Sequence, residues 1–297
     1  MSGQPRPSDA GGADRSAGAA ASAALDLAGA SGDDVVVRAG ASLLVRRGNI
    51  VARVRPSSDR PVSERELTLA HRLVGDGVPT VLPDDRVGMF EHDGHVATCW
   101  TWVDSTRAPG PTDLGELANL LRERTSGRGP DGVTPFDPIG HILEVVGDCG
   151  DDPDVCFVRE RAESLRAPFR DAVVSDPLGW CVVHGDLHAD NVVVGVDGPL
   201  LLDLELGGWG PASYDAAPAV AAVRRYGAPG EHAERFFEAS GADPRPWPGF
   251  ETLLAVYELW VTAWAVSVAH RRQDWAAEAA QRVETLRDGV ERRWRLS

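Results

Sequence analysis

Residues 184–191 read HGDLHADN and residues 201–205 read LLDLE, and these two stretches are the most informative part of the sequence. They place a carboxylate at Asp186, an amide at Asn191 and a second carboxylate at Asp203. Phosphoryl transfer requires a carboxylate that accepts the proton of an attacking hydroxyl, together with an amide and a carboxylate that hold Mg²⁺. The pattern therefore indicates phosphoryl-transfer chemistry.

Short apolar strands border this motif, at residues 182–183, 192–194 and 200–202. Asp197-Gly198 is a hairpin signal between the last two. If these residues are the centre of the turn, Val192 pairs with Asp203 and Asn191 lies beside Asp203. The sequence therefore predicts that two oxygen ligands approach each other at the open end of the hairpin, where they can share one hard cation.

These residues resemble the aminoglycoside phosphotransferase family, which belongs to the protein-kinase-like group together with choline and homoserine kinases. The resemblance is carried by the loop His-Gly-Asp-x-His-x-x-Asn and by the later Asp-x-Glu segment. It implies a catalytic base, metal ligands and supporting residues: Asp186 as the base, Asn191 and Asp203 as ligands, His184 and His188 as braces of the loop, and Glu205 near the metal or the substrate. The alternative to a catalytic site is a structural hairpin that has polar residues at its open end.

Composition favours a small cationic partner over a nucleic acid. The 297 residues include 30 basic and 45 acidic side chains, which gives a net charge of −15. Such a chain repels phosphate backbones and attracts cationic small molecules, although acidity also serves solubility alone. All the basic residues counted are arginine, so the lysine of most kinases is absent.

The N-terminal part has the order of a kinase-like small lobe. Strands are predicted at residues 35–37, 43–45, 50–54, 89–90 and 96–103, with a helix over 63–73 and turns at Gly48-Asn49 and Asp93-Gly94. Arg53 lies in a strand, and residues 65–79 resemble the family's Arg-Glu-x₆-Leu-x₃-Gly-x-Pro signature. The resemblance implies that Arg53 pairs with Glu66 and contacts the phosphates of ATP. Arg55 competes for this role, and an exposed ion pair is the alternative.

Two further nucleotide contacts are predicted in this lobe. Ser42 precedes a strand, and its hydroxyl or the neighbouring backbone N–H groups are predicted to contact phosphate. The alternative is that this segment is a turn without a ligand. Residues 99–104 are expected to link the two lobes, at the place where kinase-like folds bind adenine. Trp100 and Trp102 then either line the base pocket or pack in the linker.

Four carboxylates in the C-terminal part receive three interpretations. Asp151 and Asp152 belong to an acidic stretch over 147–154, which holds cationic groups of the substrate or is a solvated loop with capping aspartates. Asp215 follows a segment resembling the family's Gly-x-Pro-x-x-x-Asp-Leu-Ala, and is expected to cap the next helix and brace the catalytic loop. Glu258 interrupts the apolar run 253–269, for which a buried helix is favoured over a membrane span. For Glu258 itself, an internal arginine or hydroxyl partner is favoured over substrate binding.

The predicted fold is α+β and bilobal, protein-kinase-like, with an antiparallel sheet and one main helix in the small lobe and a mostly helical large lobe. Residues 1–33 are expected to be a flexible tail with a possible short helix over 17–29, residues 34–103 the nucleotide-binding lobe, and residues 104–297 the catalytic and substrate-binding lobe. The four cysteines lack metal-site spacing and no signal peptide is evident, which favours reduced thiols in the cytoplasm. A monomer or homodimer is expected.

The predicted function is ATP-dependent O-phosphorylation of a small molecule, with Mg²⁺ and with GTP as an alternative donor. A cationic antibiotic, either an aminoglycoside or a basic peptide, is the first candidate for the acceptor. A metabolic kinase for choline, homoserine or a sugar is the second. A nucleotide-binding protein that has lost catalysis is the third, because the lysine is missing.

Overall fold

A computed structural model describes residues 7–40, 42–127, 129, 132–147, 149–150 and 152–295. The chain forms two compact units. Unit 1 extends to Arg107 and includes Val193–Glu205, whereas unit 2 comprises Ala108–Val192 and continues from Leu206. An antiparallel sheet dominates unit 1 and helices dominate unit 2, as the α+β prediction requires.

The sheet of unit 1 is antiparallel, with the strand order β1-β2-β3-β5-β4. Its strands are β1 (Val35–Ala39), β2 (Leu43–Arg47), β3 (Ile50–Pro56), β4 (Met89–His92) and β5 (His95–Thr101). Both predicted turns are confirmed. Gly48, with φ of 60°, opens the two-residue turn between β2 and β3, and Asp93 and Gly94, with φ of 45° and 76°, form the turn between β4 and β5. Positive φ at these positions matches the right-handed twist of the paired strands.

The possible short helix predicted over 17–29 is part of a longer helix, α1 (Pro7–Leu27), which packs on the sheet, whereas a flexible tail was expected there. Ala20, Ala21 and Ala24 are fully buried against the sheet. Small side chains allow the helix to approach the strands closely, so that an alanine-rich segment which looks weakly hydrophobic still buries a continuous face. The second helix of this unit, α2 (Arg60–Gly75), includes the predicted segment 63–73.

Four shorter strands follow in the described part of the chain: β6 (Trp180–Val183), β7 (Val192–Gly195), β8 (Gly198–Leu201) and β9 (Gly208–Pro211). β6 pairs with β9, and β7 pairs with β8. The predicted hairpin register is wrong, because the turn occupies Val196 and Asp197 and β8 ends at Leu201, before Asp203. Gly198, with φ of 120°, follows the turn instead of lying at its centre, as in hairpin loops that carry a glycine bulge.

Unit 2 is built around one long apolar helix. Its helices are α3 (Pro111–Thr125), α4 (Pro138–Val145), α5 (Pro153–Val173), α6 (Ala217–Arg224), α7 (Glu231–Ser240), α8 (Phe250–Arg271) and α9 (Ala276–Asp288). Helix α8 contacts α4, α5, α6 and α9. It is long and apolar enough to cross a membrane, but 67% of its most apolar stretch is buried inside the unit. The predicted buried helix is confirmed.

Glu258 of α8 has the internal partner that its burial requires. Its carboxylate receives two hydrogen bonds from Arg225, at 2.8 and 2.7 Å, and only 4% of its side chain is exposed. A bidentate arginine satisfies both oxygens of a buried carboxylate. The prediction of an arginine partner is therefore confirmed.

Candidate active site

The loop after β6 is held by a carboxylate from a neighbouring segment of unit 2. Asp215 accepts hydrogen bonds from the backbone N–H groups of His184, at 2.7 Å, and Gly185, at 2.8 Å. Gly185 has φ of 83°, and a Cβ there would lie 2.8 Å from the carbonyl oxygen of Leu206. A tight left-handed turn and two charge-assisted hydrogen bonds thus determine the path of the loop towards Asp186.

Asp215 was expected to brace this loop and also to cap a helix. Its carboxylate is directed to the loop, and the residue that caps α6 is Ala216, without a side-chain bond. The capping part of the prediction is therefore wrong, because both oxygens are used by the loop. Burial raises the pKa of Asp215, while His184 and the two N–H groups act in the opposite direction.

Asp186 is the central carboxylate of the loop. The Tyr257 hydroxyl donates to its Oδ1 at 3.1 Å, and Nε2 of His188 lies 3.5 Å from its Oδ2. Burial alone would raise the pKa of Asp186, but His188, His184 and Tyr257 outweigh it and keep this pKa below its usual value. The side chain is therefore an ionised acceptor at neutral pH, which is the state that a proton-accepting base requires.

Asn191 is oriented by its own loop. Its Nδ2 donates to the carbonyl oxygen of Asp186 at 2.9 Å and lies 3.2 Å from Nε2 of His188. The amide nitrogen is thereby used, and the amide oxygen remains as the group that can bind a cation. His184 accepts a hydrogen bond from the backbone N–H of Asp186 through Nδ1, at 3.3 Å, so both histidines contact the backbone or side chains of the loop.

In unit 1, Arg53 and Glu66 form the predicted pair. Nη1 of Arg53 lies 2.6 Å from Oε1 of Glu66, and Nη2 lies 2.8 Å from Oδ1 of Asp203 and 3.3 Å from Oε2 of Glu205. The side chain of Arg53 is 13% exposed, which excludes the alternative of an exposed surface ion pair. Burial opposes the charge on Arg53, but Glu66, Asp203 and Glu205 hold its pKa above the ordinary value.

Arg55 joins the same cluster. It donates to Oε2 of Glu66 at 2.9 Å and to Oε2 of Glu205 at 2.7 Å, and only 4% of its side chain is exposed. Arg53 and Arg55 are two positions apart in β3, so they share a face of the sheet, opposite Ala52 and Val54. Two arginines and three carboxylates, Glu66, Asp203 and Glu205, therefore form one network, which we call the arginine–carboxylate cluster.

Asp203 has an unusual backbone. Its φ is 55°, in the left-handed region that few residues other than glycine and asparagine adopt. The neighbouring Glu205, in a short 3₁₀ helix, has a raised pKa because of burial and the charge of Asp203, partly offset by Arg53 and Arg55. The carboxylate oxygens of Asp203 and Glu205 are suitable ligands for a hard divalent cation. The predicted approach of Asn191 to Asp203 stays a prediction.

The other residues predicted to contact the nucleotide lie directly before β2, on β5 and in the segment after β5. Ser42 accepts a hydrogen bond from Nε of Arg53 at 3.3 Å. Trp100 belongs to β5 and donates to the hydroxyl of Thr98, whereas Trp102 donates to Asp104 and packs under Arg46. The predicted linker over 99–104 is wrong for its first half, because β5 continues through Thr101 by pairing with β3.

The acidic stretch has a structural use. Asp152 caps α5 by accepting from the N–H groups of Asp154 and Val155, and its carboxylate also lies 2.9 Å from Nε2 of His270. This is the arrangement that the alternative of a capping aspartate predicts. Asp151 lies outside the described residues, so its predicted contact with the substrate stays a prediction.

Tyr257 was not identified as a functional residue from the sequence. It is buried on α8, next to two tryptophans at helical spacing, and nothing in that pattern separates a packing tyrosine from one whose hydroxyl contacts a functional carboxylate. A polar tip on a buried aromatic side chain needs a partner, and this was the signal available.

Comparison with known proteins places the chain among phosphotransferases. Residues 26–250 match the model of the phosphotransferase enzyme family, APH. No curated protein matches the sequence. A choline/ethanolamine kinase family protein from Mesorhizobium loti has a similar structure, with 17% identity, a TM-score of 0.64, and coverage of 91% of this chain and 94% of that chain.

Two further structures show the same fold. The amicoumacin kinase hAmiN, in complex with AMP-PNP, Ca²⁺ and Ami, has 13% identity and a TM-score of 0.67 over 87% of this chain and 89% of that chain. The aminoglycoside phosphotransferase APH(3'')-Id from Streptomyces rimosus has 18% identity and a TM-score of 0.59 over 78% of this chain and 95% of that chain. Because the family model matches most of the sequence, the chain belongs to the APH phosphotransferase enzyme family, and the structural matches show that it has a protein-kinase-like fold.

Proposed function

We propose that this kinase transfers the γ-phosphate of ATP, with Mg²⁺, to a hydroxyl of a cationic antibiotic of the aminoglycoside or basic peptide type. The single observation that carries the chemistry is the position of the Asp186 carboxylate in a loop that Asp215 holds by two backbone hydrogen bonds. In the proposed reaction, Asp186 orients the acceptor hydroxyl and takes its proton late, since positioning does most of the work in phosphoryl transfer.

The nucleotide half of the proposal depends on the arginine–carboxylate cluster. The guanidinium of Arg53 is always charged and its planar fork suits phosphate oxygens. Glu66 holds it from α2, and Arg55 gives Glu66 a second partner, so a move of Arg53 towards phosphate leaves Glu66 paired. Asp203 and Asn191 would hold the cation, which when bound neutralises charge on the phosphate oxygens.

The preference for a cationic acceptor is supported by the net charge of −15. Long-range attraction of this kind raises the encounter rate with cations and falls with ionic strength. Solved kinases of similar fold act, by their names, on aminoglycosides and on choline or ethanolamine. A metabolic kinase for a choline, homoserine or sugar type of alcohol is therefore the second candidate.

A panel of acceptors tests the proposal. The purified protein is given ATP or GTP with Mg²⁺ and kanamycin, spectinomycin, choline, ethanolamine or homoserine, and both ADP release and phosphorylated product are measured by mass spectrometry. We expect phosphorylation of the aminoglycoside with ATP. Turnover of choline or homoserine alone would favour the metabolic alternative, and nucleotide binding without any turnover would identify a protein that has lost catalysis.

A matched pair of variants tests the base. Asp186→Asn should lower turnover about 10²- to 10⁴-fold, which is the usual contribution of a general base, and leave nucleotide affinity unchanged. Asp190→Asn is the control, since it removes an exposed carboxylate from the same loop. Full activity in Asp186→Asn would refute the role of Asp186.

A further inference from the structure

Tyr257 is a buried tyrosine whose hydroxyl has one partner of functional interest. It lies on α8, is 4% exposed, and its Oη donates to Oδ1 of Asp186 at 3.1 Å. A buried hydroxyl without a partner is costly, and this bond offsets that cost. A phenylalanine would fill the same space, so packing alone does not require the oxygen.

The direction of this hydrogen bond is determined by chemistry. An ionised carboxylate has only acceptor oxygens, so the tyrosine must donate. Burial and the charge of Asp186 raise the pKa of Tyr257 well above its ordinary value, which keeps the proton on the hydroxyl. The bond is therefore a stable donor–acceptor pair across the neutral range.

The ring of Tyr257 is held by other aromatic side chains of unit 2. Its centroid lies 6.4 Å from that of Tyr214 in an edge arrangement, and Tyr214 lies 4.6 Å from Phe136. Tyr214 is itself 1% exposed. A packed aromatic cluster on a long helix provides a rigid support, and rigid support of this kind keeps a reacting group in its productive orientation.

The two oxygens of Asp186 have unequal surroundings. Oδ1 receives the Tyr257 hydroxyl, whereas Nε2 of His188 lies 3.5 Å from Oδ2, which is beyond the usual length of a hydrogen bond. Oδ2 therefore keeps accepting capacity for another donor.

We propose that Tyr257 is a positioning residue for phosphoryl transfer: its hydroxyl holds Oδ1 of Asp186 so that Oδ2 is the oxygen presented to the acceptor hydroxyl. The proposal rests on the proposed function, because it assigns Asp186 as the base. Tyr257 acts through Asp186 and orients its carboxylate by one hydrogen bond.

Tyr257→Phe tests this role, and Tyr226→Phe is the matched control. Tyr226 also lies in the aromatic interior of unit 2, with its ring against Trp294, but its hydroxyl makes no hydrogen bond to Asp186. For the acceptor of the panel with the highest turnover, Tyr257→Phe should lower kcat about tenfold. The KM values for ATP and acceptor should stay within about twofold, because the lost contact orients the base and does not bind substrate. Tyr226→Phe should keep the kcat of the wild type.

A rescue experiment separates positioning from packing. p-Aminophenylalanine at position 257 keeps the ring and restores a donor, so it should recover most of the lost kcat, whereas O-methyltyrosine keeps the oxygen without the proton and should not. Equal loss with both replacements would overturn the proposal, since it would assign the effect to packing.

Crystal structures of the wild type and Tyr257→Phe provide a readout that does not need turnover. The Asp186 carboxylate should have one orientation in the wild type and more than one in the variant. The same single orientation in both, or an unchanged kcat in the variant, would overturn the role of Tyr257. If the wild type phosphorylates no compound of the panel, the proposed function fails, and the orientation of Asp186 still decides whether Tyr257 holds it.

Discussion

The guanidinium of Arg53 joins Glu66 and Asp203 at the same time, through Nη1 at 2.6 Å and Nη2 at 2.8 Å. A planar fork with separate nitrogens can serve two carboxylates in fixed directions, whereas the ammonium of a lysine is a single point charge. The chain contains no lysine, and the guanidinium of Arg53 occupies the position that the family resemblance assigns to the phosphate-binding cation.

Loss of Arg55 should mainly affect stability, whereas loss of Arg53 should mainly affect nucleotide binding. Arg55→Met removes the more buried arginine and leaves Glu66 and Glu205 with fewer partners, so we expect it to lower the free energy of unfolding by about 2 kcal/mol. Arg53→Met should mainly weaken nucleotide binding. Urea unfolding and titration with a fluorescent ATP analogue measure the two effects. A larger loss of nucleotide affinity in Arg55→Met would reverse the assignment.

Asp203→Asn tests the proposed cation ligand with little change to the backbone. Asparagine tolerates the φ of 55° found here, so the variant removes charge without adding strain. We expect that it needs at least about tenfold more Mg²⁺ for half-maximal activity, because a neutral amide is a weaker ligand than a carboxylate. Nucleotide binding without metal serves as the control, and an unchanged Mg²⁺ requirement would count against Asp203 as a ligand.

Gly185→Ala should damage the catalytic loop more than Gly179→Ala. Both glycines have positive φ, 83° and 74°, so alanine at either position is strained by about 1–2 kcal/mol. At Gly185 the added Cβ would also lie 2.8 Å from the Leu206 oxygen and 2.9 Å from Phe136, whereas nothing lies within 4 Å at Gly179. The difference between the melting temperatures of the two variants measures the destabilisation caused by the steric contacts of the added Cβ at position 185. Equal melting temperatures would show that the loop moves to accommodate this Cβ.

Glu258→Ala should be strongly destabilising, because it leaves the buried guanidinium of Arg225 without its bidentate partner. Breaking a buried ion pair typically costs about 3–5 kcal/mol. Glu234→Ala is the control, since its pairing with Arg245 occurs on the surface and should contribute little. Chemical unfolding of both variants measures the contrast. Similar unfolding midpoints for the two variants would mean that water replaces Glu258 as the partner of Arg225.

The four cysteines should separate into two reactive and two protected thiols. Burial raises the pKa of the Cys99 thiol to about 12, so at pH 8 only about one molecule in 10⁴ carries the thiolate. Cys181 is also buried and its pKa is raised by the same cause, whereas Cys149 and Cys156 are partly exposed. Ellman's reagent should therefore modify two thiols in the native protein and four in urea. Rapid reaction of all four would show that the core opens.

The secondary structure around the hairpin turns could be predicted closely, because turn chemistry acts over a few residues. Gly48-Asn49 and Asp93-Gly94 have backbone preferences that select their turns without help from distant residues. The turn of β7 and β8 shows the limit of such reasoning. Two placements of one glycine satisfy the same local pattern, and the contact of Leu201 with Thr80, which lies 121 positions away, is not part of that pattern.

The candidate residues of the site could be predicted from spacing, since a loop such as 184–191 has its polar groups within one short segment. The partners of those residues depend on contacts between distant parts of the chain. Asp186 and Tyr257 are 71 positions apart, and Arg53 and Glu205 are 152 apart. Packing of α8 and pairing of β3 bring these groups together, and no local pattern encodes that proximity. For this reason the sequence predicted which residues carry the chemistry, while the tertiary structure alone decided which neighbours orient and neutralise them.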